Sequence, residues 1–88
     1  MNEIKYVTLF PRGMMEARAI IFNRMFTHSS IVAELIKEGC TLRSAGFVKW
    51  ELDGKLFTFG RSESLKLESM EGDEKIIMKT LTGNHGYL

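Results

Sequence analysis

The chain has 88 residues, 44% of them hydrophobic and 26% charged, with a single proline. These proportions describe one globular domain and exclude a disordered linker or a two-domain chain, since a second core could not be buried in what would remain. Twelve basic and eleven acidic side chains leave a net charge of +1, which excludes the strong positive field of a dedicated DNA binder and the negative field of a DNA mimic.

The run Ile-Lys-Tyr-Val-Thr-Leu-Phe at positions 4–10 is β-branched and aromatic and stops at Pro11-Arg12-Gly13, so it reads as a strand ended by turn chemistry. Residues 14–26 have two readings: Met, Glu, Ala and Arg favour a helix, and Ile20-Ile21-Phe22 a strand. On a helical wheel Glu16, Arg18, Asn23 and Arg24 scatter, whereas a strand puts Ala17, Ala19, Ile21 and Met25 on one side. The strand, hairpinned to the first, is the better fit. Ser29 or Ser30 then caps a helix over 30–38 in which Ile31, Val32, Leu35 and Ile36 recur at helical spacing and Gly39 closes the end.

The segment 47–59, Phe-Val-Lys-Trp-Glu-Leu-Asp-Gly-Lys-Leu-Phe-Thr-Phe, is two alternating runs meeting at Asp53-Gly54. That dipeptide suits a two-residue hairpin turn, which sets Leu52 opposite Lys55, Trp50 opposite Phe57 and Val48 opposite Phe59. In this register the large apolar groups share one face, with Lys49, Glu51 and Thr58 on the other. Gly60-Arg61-Ser62-Glu63-Ser64 breaks the second strand. Beyond it, residues 73–82 read as a helix capped by Asp73, with Ile77 and Leu81 on one face and Gly83 at its end. The alternative makes Glu71-Gly72-Asp73 a turn and 75–80 a fifth strand. Asn84 to Leu88 reads as a flexible tail.

The expected architecture is α+β in the order ββαββα: an antiparallel sheet of two β-hairpins with one or two helices packed on one face. Trp50, Phe57, Phe59 and Val48 would meet Ile31, Leu35 and Ile77 in the core, so that Trp50→Ala would unfold the domain or nearly so.

The inventory for catalysis is thin. Thiolate and imidazole can form a nucleophilic pair or bind metal, but His28, Cys40 and His85 lack diagnostic spacing, and Cys40 follows a helix C-terminus, where the dipole disfavours a thiolate. Glu63, Glu68, Glu71, Asp73 and Glu74 cluster without calcium-loop spacing and read as a solvated face. No catalytic residue, metal or cofactor is therefore expected. Gly60, Arg61, Ser62 and Ser64 are a candidate anion-binding loop, because a glycine, a guanidinium and hydroxyls can surround a phosphate or carboxylate; the plainer reading has the hydroxyls satisfying local backbone.

Two binding readings remain. Arg12, Arg18, Arg24, Arg43, Lys49 and Arg61, with Phe47 or Tyr6 for stacking, would make a nucleic-acid face if they gathered on the sheet. Six methionines, Met14 and Met15 among them, with Phe47 and Leu56 facing outward, leave adaptable apolar surface for a protein partner or a homodimer. A free sheet edge would add strand pairing. A lone cysteine and the absence of a signal-peptide pattern or membrane-spanning run fit a cytoplasmic protein with no membrane partner.

The residues Ser44-Ala45-Gly46-Phe47 leading into the hairpin, followed by Gly60-Arg61-Ser62-Glu63-Ser64-Leu65, resemble small uncharacterised proteins encoded by bacteriophages and prophages. The resemblance covers the second half of the chain and implies a compact accessory protein that acts by binding inside a bacterial cell. It assigns no activity and no site residue. The expectation is a protein-interaction domain rather than an enzyme, with a nucleic-acid-contacting module as the alternative.

Overall fold

The structure, a computed structural model, describes residues 4–83. Four strands form an antiparallel sheet in the order β2-β1-β3-β4: β1 (Ile4–Phe10), β2 (Arg18–Asn23), β3 (Thr41–Trp50) and β4 (Leu56–Phe59). Helix α1 (His28–Lys37) lies between β2 and β3. Two short strands, β5 (Arg61–Ser62) and β6 (Leu67–Glu68), pair as a separate ribbon before helix α2 (Asp73–Thr82). The class is α+β, and residues 18–23 and 73–82 are strand and helix respectively.

Because β2 and β3 are both antiparallel to β1, they run parallel to each other and need a crossover, which α1 supplies. Its start is fixed by Thr27, whose hydroxyl accepts the Ser30 amide at 3.1 Å, two or three residues earlier than the Ser29 or Ser30 cap expected from sequence.

The helices divide between the two faces of the sheet instead of sharing one. Alternation along β1 explains this: Tyr6 joins Ala19, Val48, Leu56 and Ile77 on the α2 side, while Val7 and Leu9 join Phe22, Val32 and Ala45 on the α1 side. A sheet covered on both faces has apolar residues at consecutive positions, and β1 is buried without interruption from Tyr6 to Leu9.

The β3–β4 register differs by one residue from the sequence expectation. Asp53-Gly54 does not form a two-residue turn. The Gly54 amide bonds the Glu51 carbonyl at 3.0 Å, and the Glu51 amide bonds the Lys55 carbonyl at 2.8 Å, giving a three-residue loop with Gly54 at φ 89°. Trp50 therefore pairs with Leu56, Lys49 with Phe57, Val48 with Thr58 and Phe47 with Phe59. The slip moves every β4 side chain to the other face. Leu56 goes into the core and Phe57 and Phe59 come out, each still partly exposed, as is Trp50 at 40%. Of the aromatic core anticipated here, only Val48 and Ile77 meet, and Trp50 cannot be the residue on which folding depends.

Candidate functional site

A β-bulge in β3 organises the polar interior. Thr8 faces Ser44 and Leu9 faces Leu42, so Arg43 is an extra residue in the ladder. A bulge re-aims side chains, and here both Arg43 and Ser44 reach the carboxylate of Asp73 at the start of α2. Asp73 is fully buried. It accepts from the Tyr6 hydroxyl, the Arg43 guanidinium, the Ser44 hydroxyl (2.8 Å) and the Met70 amide (2.8 Å). Thr8 bonds Ser44 beneath it, and Arg43 also donates to the Glu71 carbonyl at 3.1 Å.

Asp73 was expected to cap the helix, but the cap position belongs to Gly72 and the carboxylate turns down into the sheet. Burial first, then the bond to Asp73 and its charge, push the Tyr6 phenol far above its ordinary range. A carboxylate with four donors, sealed beneath a helix, anchors that helix and has no access to a substrate.

The same helix guards both edges of the sheet. Glu74 accepts the Thr58 amide and hydroxyl on β4, at 2.9 and 2.8 Å, and Thr80 accepts the Ala19 amide on β2 at 3.1 Å. Burial works to raise the Glu74 pKa, but the two bonds from Thr58 outweigh it and the net direction is down. An edge amide held by a side chain is withdrawn from strand addition, so the edges are less open than the sequence reading supposed.

On the opposite face His28, the first residue of α1, is buried. Its Nε2 lies 3.0 Å from the Gly46 carbonyl, and the ring sits edge-on to Phe22 and Phe47 at centroid distances of 5.3 and 6.0 Å. Phe47 stacks on Phe59 at 5.7 Å. Gly46 must be glycine: a Cβ there would lie 2.6 Å from the Phe59 carbonyl oxygen.

The surface feature that stands out is the β3–β4 hairpin. Trp50 and Phe57 are 40% and 44% exposed, Phe59 is 38% exposed, and Leu52 at the tip is free of all cover. Trp50 lies on the α2 side and Phe57 and Phe59 on the α1 side, so both faces of the ribbon present aromatic area. Beside it an open cleft of about 660 Å³ runs between β4 and α2, walled by Lys55, Leu56 and Phe57 on one side and Glu71, Lys75 and Met78 on the other.

The structure disperses the basic residues singled out from the sequence. Arg12 lies along Gly39 at the end of α1, Arg18 begins β2 and Arg24 follows its far end. Arg43 is held by Asp73, and Lys49 stands across from Phe57, 3.7 Å from Glu51. Tyr6 is fully buried and unavailable for stacking.

Of the Gly60–Ser64 segment, Arg61 and Ser62 form β5 and the residues after them open a local turn. The buried Ser62 hydroxyl accepts the Leu65 amide at 3.2 Å and lies 3.3 Å from Ser64, Gly60 accepts the Ser69 amide, and Arg61 faces Glu63 at 3.4 Å. These bonds occupy the hydroxyls that an anion would need. Of the suggested partner surface, Met14 and Met15 are exposed, Phe47 is half-buried under His28 and Phe59, and Leu56 is in the core, contrary to its expected outward position.

Cys40 is half-buried on the α1 side and His85 lies outside the described residues, as does the 84–88 segment read as a tail. No group of three or more potential metal ligands occurs among the described residues, and no helix there is long and apolar enough to cross a membrane. No protein-family model, curated protein or solved structure matches the chain.

Proposed function

We propose that this is a small protein-interaction domain, in keeping with the resemblance to phage and prophage accessory proteins, and that its contact surface is the β3–β4 hairpin with the cleft beside it. The observation that carries the reading is the grouping of Trp50, Leu52, Phe57 and Phe59 on one ribbon, all solvent-exposed in a chain whose core is complete without them. Burying an aromatic or aliphatic side chain against a partner contributes about 1.5–3 kcal/mol each. Aromatic anchors with a charged rim, here Lys49, Glu51 and Lys55, are the composition of interface centres.

A nucleic-acid-contacting module is the weaker alternative. Its arginines do not gather, and what favours it is Lys49 beside the exposed Phe57 ring.

The test is capture of partners by tagged protein from a bacterial lysate, with and without nuclease. A stoichiometric protein band that survives nuclease supports the interaction reading. Nucleic acid alone, lost on digestion or at high salt, replaces it with the alternative.

A further inference from the structure

The two helices are held to the sheet by different chemistry. α2 carries the buried Asp73 network, the Glu74–Thr58 bonds, the Thr80–Ala19 bond and the Lys79–Glu16 ion pair at 3.3 Å. In α1 only His28 and Val32 are buried, and they are helped by partly buried Ile31 and Leu35. The polar tie on the buried face of α1 is the His28 ring, bonded to the Gly46 carbonyl and to the Tyr6 backbone. An element with few buried contacts, tied through one side chain, is the first to open locally.

We infer that His28 is a proton-operated latch: neutral, it seats α1 on the sheet; protonated, it releases α1 and uncovers the apolar face of Val7, Phe22 and Phe47.

The imidazole is set among aromatic rings, and no carboxylate acts on it among the described residues. β2 offers the Phe22 ring, β3 the Phe47 ring and the Gly46 carbonyl, and β4 the Phe59 ring behind Phe47. From β1 the backbone of Tyr6 bonds the ring, and Lys5 is the charged group that acts on it among the described residues. Lys5 is a cation, held nearby through its bond to the Phe26 carbonyl at 2.9 Å. The position as first residue of α1 adds the positive end of the helix dipole. Burial first, and then Lys5, hold the His28 pKa below its ordinary value, against the pull of the two backbone bonds.

The sign follows by linkage. The opened helix leaves His28 with an ordinary pKa of about 6.5, so the latch is at full strength above that pH. It weakens as pH falls through 6.5 towards the lowered value of the closed form, because the open form binds the proton better.

The experiment is amide hydrogen exchange on the full chain at pH 7.5 and pH 5, corrected for intrinsic exchange, in a His85→Ala background so that one imidazole titrates. Protection of the α1 amides is expected to fall at the lower pH while that of α2 and the central strands holds. In His28→Gln, whose side-chain amide can still donate to Gly46 but cannot titrate, α1 protection is expected to be the same at both values. Unchanged α1 protection in the parent, or parallel loss in α1 and α2, would overturn the proposal even if His28→Gln fails to fold.

Discussion

Asp73→Asn is the sharpest test of how the fold is held. The substitution keeps shape and removes charge, leaving the Arg43 guanidinium facing a neutral amide and setting an NH₂ group among donors that previously met carboxylate oxygens. Removing one partner of a buried pair costs about 3–5 kcal/mol. Arg43 retains 19% side-chain exposure and its bond to the Glu71 carbonyl, which places the cost near the lower end, about 3 kcal/mol. For a domain of this size 1 kcal/mol corresponds to about 4–8 °C, so the variant should melt about 12–24 °C below the parent. Thermal unfolding by far-UV circular dichroism at pH 7, with a urea titration as a second measure, reads this directly. Arg43→Met in the Asp73→Asn background should cost less than the two single changes added, because the stranded cation is gone. A single variant melting within about 4 °C of the parent would refute the reasoning.

Gly46→Ala should lower stability by about 1–3 kcal/mol in chemical denaturation, since its Cβ meets the Phe59 carbonyl and must push β4 away; a neutral result would mean that the β3–β4 spacing is not fixed there. Glu74→Gln should cost about 1 kcal/mol at pH 7. Because the Glu74 pKa is lowered on folding, its contribution is complete above the ordinary carboxyl value and is lost as pH falls through the folded one, so the gap between parent and variant should narrow as pH falls below the ordinary carboxyl value; a gap that stays constant in melts across the acid range would contradict the assignment. Trp50→Ala should cost less than about 2 kcal/mol, because the ring is 40% exposed, and a variant unfolded at 25 °C would show that the hairpin register is wrong.

How much of this was legible in the sequence depends on how far each signal acts. β-branched and aromatic runs, helical spacing over 31–36 and the Gly83 stop are local, and from them the α+β class and the order of β1 to β4 and the two helices are legible, while the short β5–β6 ribbon is not. The hairpin is legible but its register is not, because Asp-Gly serves both a two-residue turn and a three-residue loop with glycine at positive φ. That single slip exchanged Leu56 for Phe57 and Phe59 between core and surface.

The Arg43 bulge, which brings Tyr6, Ser44 and Asp73 together across up to 67 positions of chain, leaves no local trace. Nor does the division of the helices between the faces, although the β-branched and apolar run from Tyr6 to Leu9, broken only by Thr8, is a signal that both faces are covered. The exposed aromatic ribbon emerged only once the register was known.

The most direct measurement is the amount of protein retained from a bacterial lysate, after nuclease, by the tagged parent and by a Trp50→Ala/Phe57→Ala variant shown by circular dichroism to be folded. The account predicts a stoichiometric partner on the parent that the folded variant loses. Equal retention by both, or none by the parent, would contradict it.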